Sequence, residues 1–140
     1  MIKLLLKSLF ITVPRFFVIT TLVTSLLYLD TSPLPEDITL TTLSYLIHIS
    51  ATFLFAKWAF HRSHPSWGDA GMVAGVFIVF GTMLEAWLSS VITRNTFWNA
   101  FTNYNWQSLL IVVLYIASVF AAAWHSQRVA RKISTPSGMV

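Results

Sequence analysis

Two side chains that exchange protons, Glu85 and His48, occur inside long apolar stretches of this sequence. A carboxyl group near the centre of a membrane helix costs roughly 2.5 to 3.5 kcal/mol on insertion scales, so such a residue usually pairs with a polar group or marks a pathway. An imidazole titrates nearest to neutral pH, and a carboxyl–imidazole pair suits proton coupling. The pair therefore predicts either a proton-responsive site or a polar contact that holds helices together.

Other polar side chains reach the depth of this pair when each apolar stretch is treated as a helix. At about 1.5 Å per residue, Glu85 lies about 10 Å and His48 about 15 Å from the ends of their stretches on one side. Hydroxyl groups from the other two stretches lie at a similar depth. The sequence thus predicts a polar pocket in one half of the membrane, made of Glu85, His48, Tyr115, Thr21, Thr82, Ser89 and Tyr45.

A purely structural role is the alternative for the same residues. Hydroxyl and amide groups join membrane helices with hydrogen bonds worth around 0.6 kcal/mol each. A Gly-x-x-x-Gly pair also lets a neighbouring backbone approach closely, and the face that carries this pair continues to Glu85. The residues predicted to pack helices together are Gly71, Gly75, Ala117 and Ala121.

The elements that would position these groups follow from composition. Of 140 residues, 56% are hydrophobic and only 10% are charged, and mean hydropathy is +0.69. Soluble domains carry about 25% charged residues, so we expect an all-α, polytopic membrane protein. Four apolar runs have nearly the roughly 20 residues that cross a hydrocarbon core. The predicted single domain has transmembrane helices at about 8–29, 38–60, 69–92 and 107–124, followed by a basic tail at 125–140.

The basic residues predict the orientation of these helices. Cytoplasmic loops are enriched in Lys and Arg, and of the nine such residues only Arg94 falls on the opposite side. Both termini are therefore predicted to be cytoplasmic, in a bacterial inner membrane or a plasma membrane, and the predicted pocket lies in the outer half. Arg15 is expected to extend its side chain to the cytoplasmic surface. The residues on the cytoplasmic side are Lys3, Lys7, Arg15, Lys57, Arg62, Arg128, Arg131 and Lys132.

Two connecting segments carry local patterns. Ser66 and Asp69 have the spacing of a capping box at the start of the third helix. Phe97, Phe101 and Tyr104 have the spacing of one helical face. This second pattern predicts either a short amphipathic helix on the outer surface or an irregular aromatic loop.

Several classes of chemistry are not expected. The chain has no cysteine, and its remaining histidines, His61, His64 and His125, lie near one membrane surface, so we predict no metal site and no cofactor. Phosphate-binding loops, nucleophile elbows and zinc-protease motifs are absent from the sequence, which predicts that the protein is not an enzyme. The net charge of +4 comes from residues that flank apolar runs, and this distribution predicts no nucleic-acid partner.

Two functional hypotheses remain. The first is a non-catalytic subunit or scaffold of a membrane assembly, in contact with the lipid bilayer and with copies of itself or other membrane subunits. The alternative is a small proton- or cation-coupled transporter or channel that uses the pocket around Glu85 and His48. Four short helices enclose little volume, so in either case we expect an oligomer or a larger assembly.

Overall fold

A computed structural model describes residues 1–29, 38–61, 63–93 and 106–134, and these form four helices. The all-helical prediction is confirmed. The patterned segment around Phe97, Phe101 and Tyr104 lies outside the described residues. In chain order the helices are α1 (Ile2–Leu29), α2 (Ile38–Ala59), α3 (Trp67–Thr93) and α4 (Trp106–Ser134).

Three of the four helices are long and apolar enough to cross a membrane. The qualifying stretches are Ile2–Leu26, Trp67–Leu88 and Ser108–Arg131. α2 is less clearly apolar because it carries several hydroxyl groups and an imidazole, and some of these polar groups face the other helices: Thr52 is fully buried. The polarity that lowers the hydropathy of α2 therefore belongs partly to the interior of the bundle.

The helices form a four-membered ring. α1 packs against α2 and α3, and α4 packs against the same two helices, so α1 and α4 stand diagonally opposite each other. The hydrophobic core is dominated by alanine, whose small side chain lets helix backbones approach closely. Its buried members are Ile11, Ala56, Ala59, Phe60, Ala70, Val73, Ala74, Phe77, Val119, Ala122 and Ala123.

The four residues predicted to pack helices together lie outside this core, on the surface of the bundle. Gly71 and Gly75 are exposed, and a Cβ atom added to either would have no neighbour within 4 Å. Ala117 and Ala121 are also exposed. The chain packs instead through the adjacent positions on α3 and α4, and one residue along a helix rotates the side chain by about 100°. Gly71 and Gly75 consequently point away from the described helices of their own chain.

Two hydrogen bonds place the start of α1 and the later part of α4 at the same end of the bundle. The Lys7 ammonium on α1 donates a hydrogen bond of 2.8 Å to the carbonyl of Ala59 at the end of α2. Gln127 on α4 donates to the carbonyl of Pro65, between α2 and α3, at 2.7 Å. Because Lys7, Lys57 and Arg128 are all near these contacts, we call this the basic end.

The predicted capping box at the start of α3 is confirmed. The backbone N–H of Ser66 donates to the Asp69 carboxylate at 2.9 Å, and the backbone N–H of Asp69 donates to the Ser66 hydroxyl at 3.1 Å. The reciprocal bonds satisfy amide groups that have no partner in the first turn of a helix. They set the start of α3 at the basic end.

Candidate functional site

Arg15 lies in the interior of the bundle, and the expectation that its side chain reaches the surface is wrong. Its side chain is 2% exposed. α1 begins at Ile2 rather than near residue 8, so Arg15 is thirteen residues, or about 20 Å, from the start of the helix. That distance is too great for the side chain to reach the basic end, and the guanidinium is turned toward the other helices.

The face of α1 that carries Arg15 is polar. Ser8, Thr12 and Arg15 are buried at helical spacing, and the first two hydroxyl groups bond to carbonyls of α1 itself. Phe10 and Phe17 lie on the opposite side and are 85% and 54% exposed. This inverted amphipathicity is what a membrane favours, because polar groups find partners inside the bundle and aromatic side chains contact lipid.

Each of the other three helices supplies a partner for the guanidinium. Nε of Arg15 donates to the Thr52 hydroxyl of α2 at 3.2 Å, and Nη1 donates to the Phe77 carbonyl of α3 at 3.2 Å. The guanidinium carbon lies 4.7 Å from the centroid of the Phe77 ring and 4.3 Å from that of Tyr115 on α4. One side chain thereby connects all four helices.

Gly81 allows this contact on the α3 side. A Cβ atom at this position would lie 3.5 Å from Nη1 of Arg15. A helical side chain covers the turn that precedes it, so a larger residue at 81 would cover the Phe77 carbonyl. Glycine leaves that carbonyl open to accept a second hydrogen bond, which its two lone pairs permit.

His48 extends the cluster toward the far end of the bundle. Its Nδ1 and the Tyr115 hydroxyl are 2.5 Å apart, and their ring centroids are 5.6 Å apart. Tyr115 therefore contacts both the guanidinium and the imidazole. We call Arg15, Thr52, His48 and Tyr115, together with Phe77, the arginine cluster.

Neutral groups surround the positive charge of the arginine cluster. The partners of Arg15 named above are a hydroxyl, a backbone carbonyl and two aromatic rings. A desolvated cation–π contact contributes about 2 kcal/mol, which helps to offset the cost of removing the guanidinium from water. Within the described part of the chain, every buried side-chain nitrogen and oxygen has a hydrogen-bond partner. The cluster is thus an internally satisfied polar contact with a permanent positive charge.

Two residues of the predicted pocket contact each other in the structure, and two others have exposed side chains. His48 and Tyr115 are hydrogen-bonded, and Tyr45 is half-buried on the same helix as His48. The side chains of Glu85 and Thr21 are exposed.

Neither remaining residue of the predicted pocket adds a described contact between helices. The Thr82 hydroxyl donates to the Ile78 carbonyl of its own helix at 2.7 Å. The side chain of Ser89 lies outside the described residues.

Sequence reasoning missed Arg15 as a site residue, although a signal was present. Ser8, Thr12 and Arg15 have helical spacing, and reading them as one face would have predicted a polar interior. As for metal ligands, the described residues contain no group of three or more His, Cys, Asp or Glu that is suitably placed.

The helices and their polar interior define a class: a small helical protein with apolar helices of membrane-spanning length. Comparisons with known protein families, with curated proteins and with solved structures find no match for this chain.

Proposed function

We propose that this chain is a non-catalytic subunit or scaffold of a membrane assembly, with four spans and both termini in the cytoplasm of a bacterial inner membrane or plasma membrane. The observation that carries the proposal is the outward position of Gly71 and Gly75, which have open space beside them. A Gly-x-x-x-Gly face serves close contact between membrane helices. Because the described helices of this chain do not pack on that face, a helix of another protomer or subunit is the partner it fits.

The satisfied interior supports the same proposal. Thr52, Phe77 and Tyr115 occupy the surroundings of Arg15, and they belong to the chain itself. A polar group whose partners are supplied by its own bundle stabilises that bundle. The arginine cluster then holds the four helices in fixed positions, and this fixes the arrangement of their outward-facing surfaces.

Assembly is tested with Gly75→Leu. We expect this variant to lose the oligomer or complex that wild type forms in membranes, because a branched side chain prevents close approach of a second helix. The matched control is Val18→Phe, which adds bulk at a position on α1 that is 40% exposed. Crosslinking in vesicles followed by sizing measures the result. A wild-type chain that remains monomeric at all densities, or equal loss in both variants, would contradict the proposal.

Sidedness is tested with a cysteine, since the chain has none of its own. In Ser63→Cys the thiol lies between α2 and α3, which the charge distribution places in the cytoplasm. We expect an impermeant maleimide to label it only after cells are permeabilised. Labelling in intact cells would show the opposite orientation or that α2 does not span the membrane.

A second candidate is proton- or cation-coupled transport through His48 and Glu85. The hydrogen bond between His48 and Tyr115 favours a polar route in this half of the bundle. The permanent charge of Arg15 beside Tyr115 opposes it, because a cation at this depth would be repelled in a medium of low dielectric. In liposomes, a pH-dependent flux that Glu85→Gln abolishes would favour this candidate over the scaffold.

A further inference from the structure

An apolar groove of about 550 Å³ runs along the outer surface between α2 and α4. Its volume falls within the range of roughly 300 to 1,000 Å³ that is typical of small-molecule sites. The small side chains of Ala117 and Ala121 line the α4 side together with the buried Ser118, and larger residues border the groove. Those that matter here are Ile49, Phe53 and Leu54 on α2 and Leu114 on α4.

The groove lies within one leaflet. Ile49 is eight residues from Lys57, or about 12 Å along α2. Leu114 is eleven residues from His125, or about 16 Å along α4. Half of a hydrocarbon core of about 30 Å is about 15 Å. The lining residues nearest the basic end are Leu54 and Ala121, which precede Lys57 and His125 by three and four residues. The groove therefore begins about one helical turn from the basic end and extends to about the middle of a membrane.

Basic side chains lie about one helical turn beyond the end of the groove. The Lys57 ammonium lies 5.8 Å from the centroid of the Phe53 ring. The centroids of the Phe53 and His125 rings are 6.4 Å apart. Phe53 thus belongs both to the groove and to the charged group. One turn further, the guanidinium of Arg128 stacks on Trp124, with 3.7 Å between its central carbon and the ring centroid.

The surroundings of these cations suit a membrane surface. Trp58 and Trp124 are 54% and 47% exposed at this level, and tryptophan is enriched where lipid headgroups lie. The described part of the chain has two acidic residues, and only Asp69 lies near the basic end. Its carboxylate accepts hydrogen bonds from Ser66, the residue that precedes α3.

We propose that this groove binds an anionic phospholipid, with one acyl chain along Ala117 and Ala121 and the phosphate headgroup between Lys57 and Arg128. Basic pockets between membrane helices bind anionic headgroups, and each Lys or Arg near the surface strengthens such binding about fivefold. A second copy of this chain fits less well, because its own basic end would lie at the same level and repel these cations.

The headgroup is tested with purified full-length protein in micelles titrated with phosphatidylglycerol or phosphatidylcholine. We expect wild type to retain phosphatidylglycerol at least tenfold more tightly, as measured by native mass spectrometry. Lys57→Gln and Arg128→Gln should each lower this preference about fivefold. The matched control, Lys3→Gln, removes an exposed charge from α1 and should change it little. Equal retention of both lipids, or an equal loss in the control, would overturn the proposal.

The groove is tested with Ala117→Trp, which fills it. We expect retention of phosphatidylglycerol to fall at least tenfold. The control is Val113→Trp, one turn away on α4 at a position that is 60% exposed, which should retain the lipid. Circular dichroism checks that both variants keep the wild-type helix content. If Ala117→Trp leaves lipid retention unchanged, or abolishes self-association in lipid-free protein, the occupant is not a phospholipid.

Discussion

Arg15→Ala is expected to lower the free energy of unfolding by about 2 to 4 kcal/mol. The substitution leaves a cavity between the Phe77 and Tyr115 rings and removes the contact that connects all four helices. It also relieves the cost of burying a charge, but alanine supplies nothing to fill the space. Denaturant titration in mixed micelles with a helix-content readout measures the change.

Arg15→Met separates packing from charge. Methionine approaches the length of arginine without its charge, and apolar residues that replace buried ionic groups are often neutral or stabilising. We therefore expect this variant to remain within about 1.5 kcal/mol of wild type. It should also keep the assembly that Gly75→Leu disrupts. Equal stability of the alanine and methionine variants would show that the guanidinium does not hold the helices together.

Phe77→Ala is expected to cost about 3 kcal/mol or more. The side chain is fully buried, and its ring also contacts the guanidinium of Arg15. In a membrane the loss comes from packing rather than from water, because the surrounding lipid is as apolar as the core.

A control for this substitution is available three residues later. Phe80 lies on the same helix but is 43% exposed, so Phe80→Ala removes the same atoms from the outer surface. We expect a change below about 1 kcal/mol in the same micelles. If the two variants lose equal stability, the side of α3 that faces the bundle differs from the one described.

Much of the fold was predictable because composition and local sequence patterns determine where helices form and where they begin. Low charge and long apolar runs predicted helices, since backbone groups in hydrocarbon must bond within their own segment. The capping box at Ser66 and Asp69 was also predictable, because its hydrogen bonds join residues three positions apart. The spacing of His48 and Tyr115 from their helix ends placed them at one level, and the structure joins them.

Which face of each helix turns inward was not predictable from the same patterns. Gly71 and Ala70 are adjacent in sequence, yet Ala70 is buried and Gly71 is exposed. In an apolar helix nearly every direction is hydrophobic, so composition does not distinguish the packed face from the lipid-facing one. Small residues occur on the packed face and on the lipid-facing one, so they do not distinguish the two faces either.

From its sequence alone, this protein was determined to be helical, largely apolar and basic near its termini. Only the tertiary structure decided that Arg15, rather than Glu85, lies at the centre of the polar interior. The reason is that a buried charge depends on partners that are distant in the chain. Thr52, Phe77 and Tyr115 approach the guanidinium only when four helices surround it.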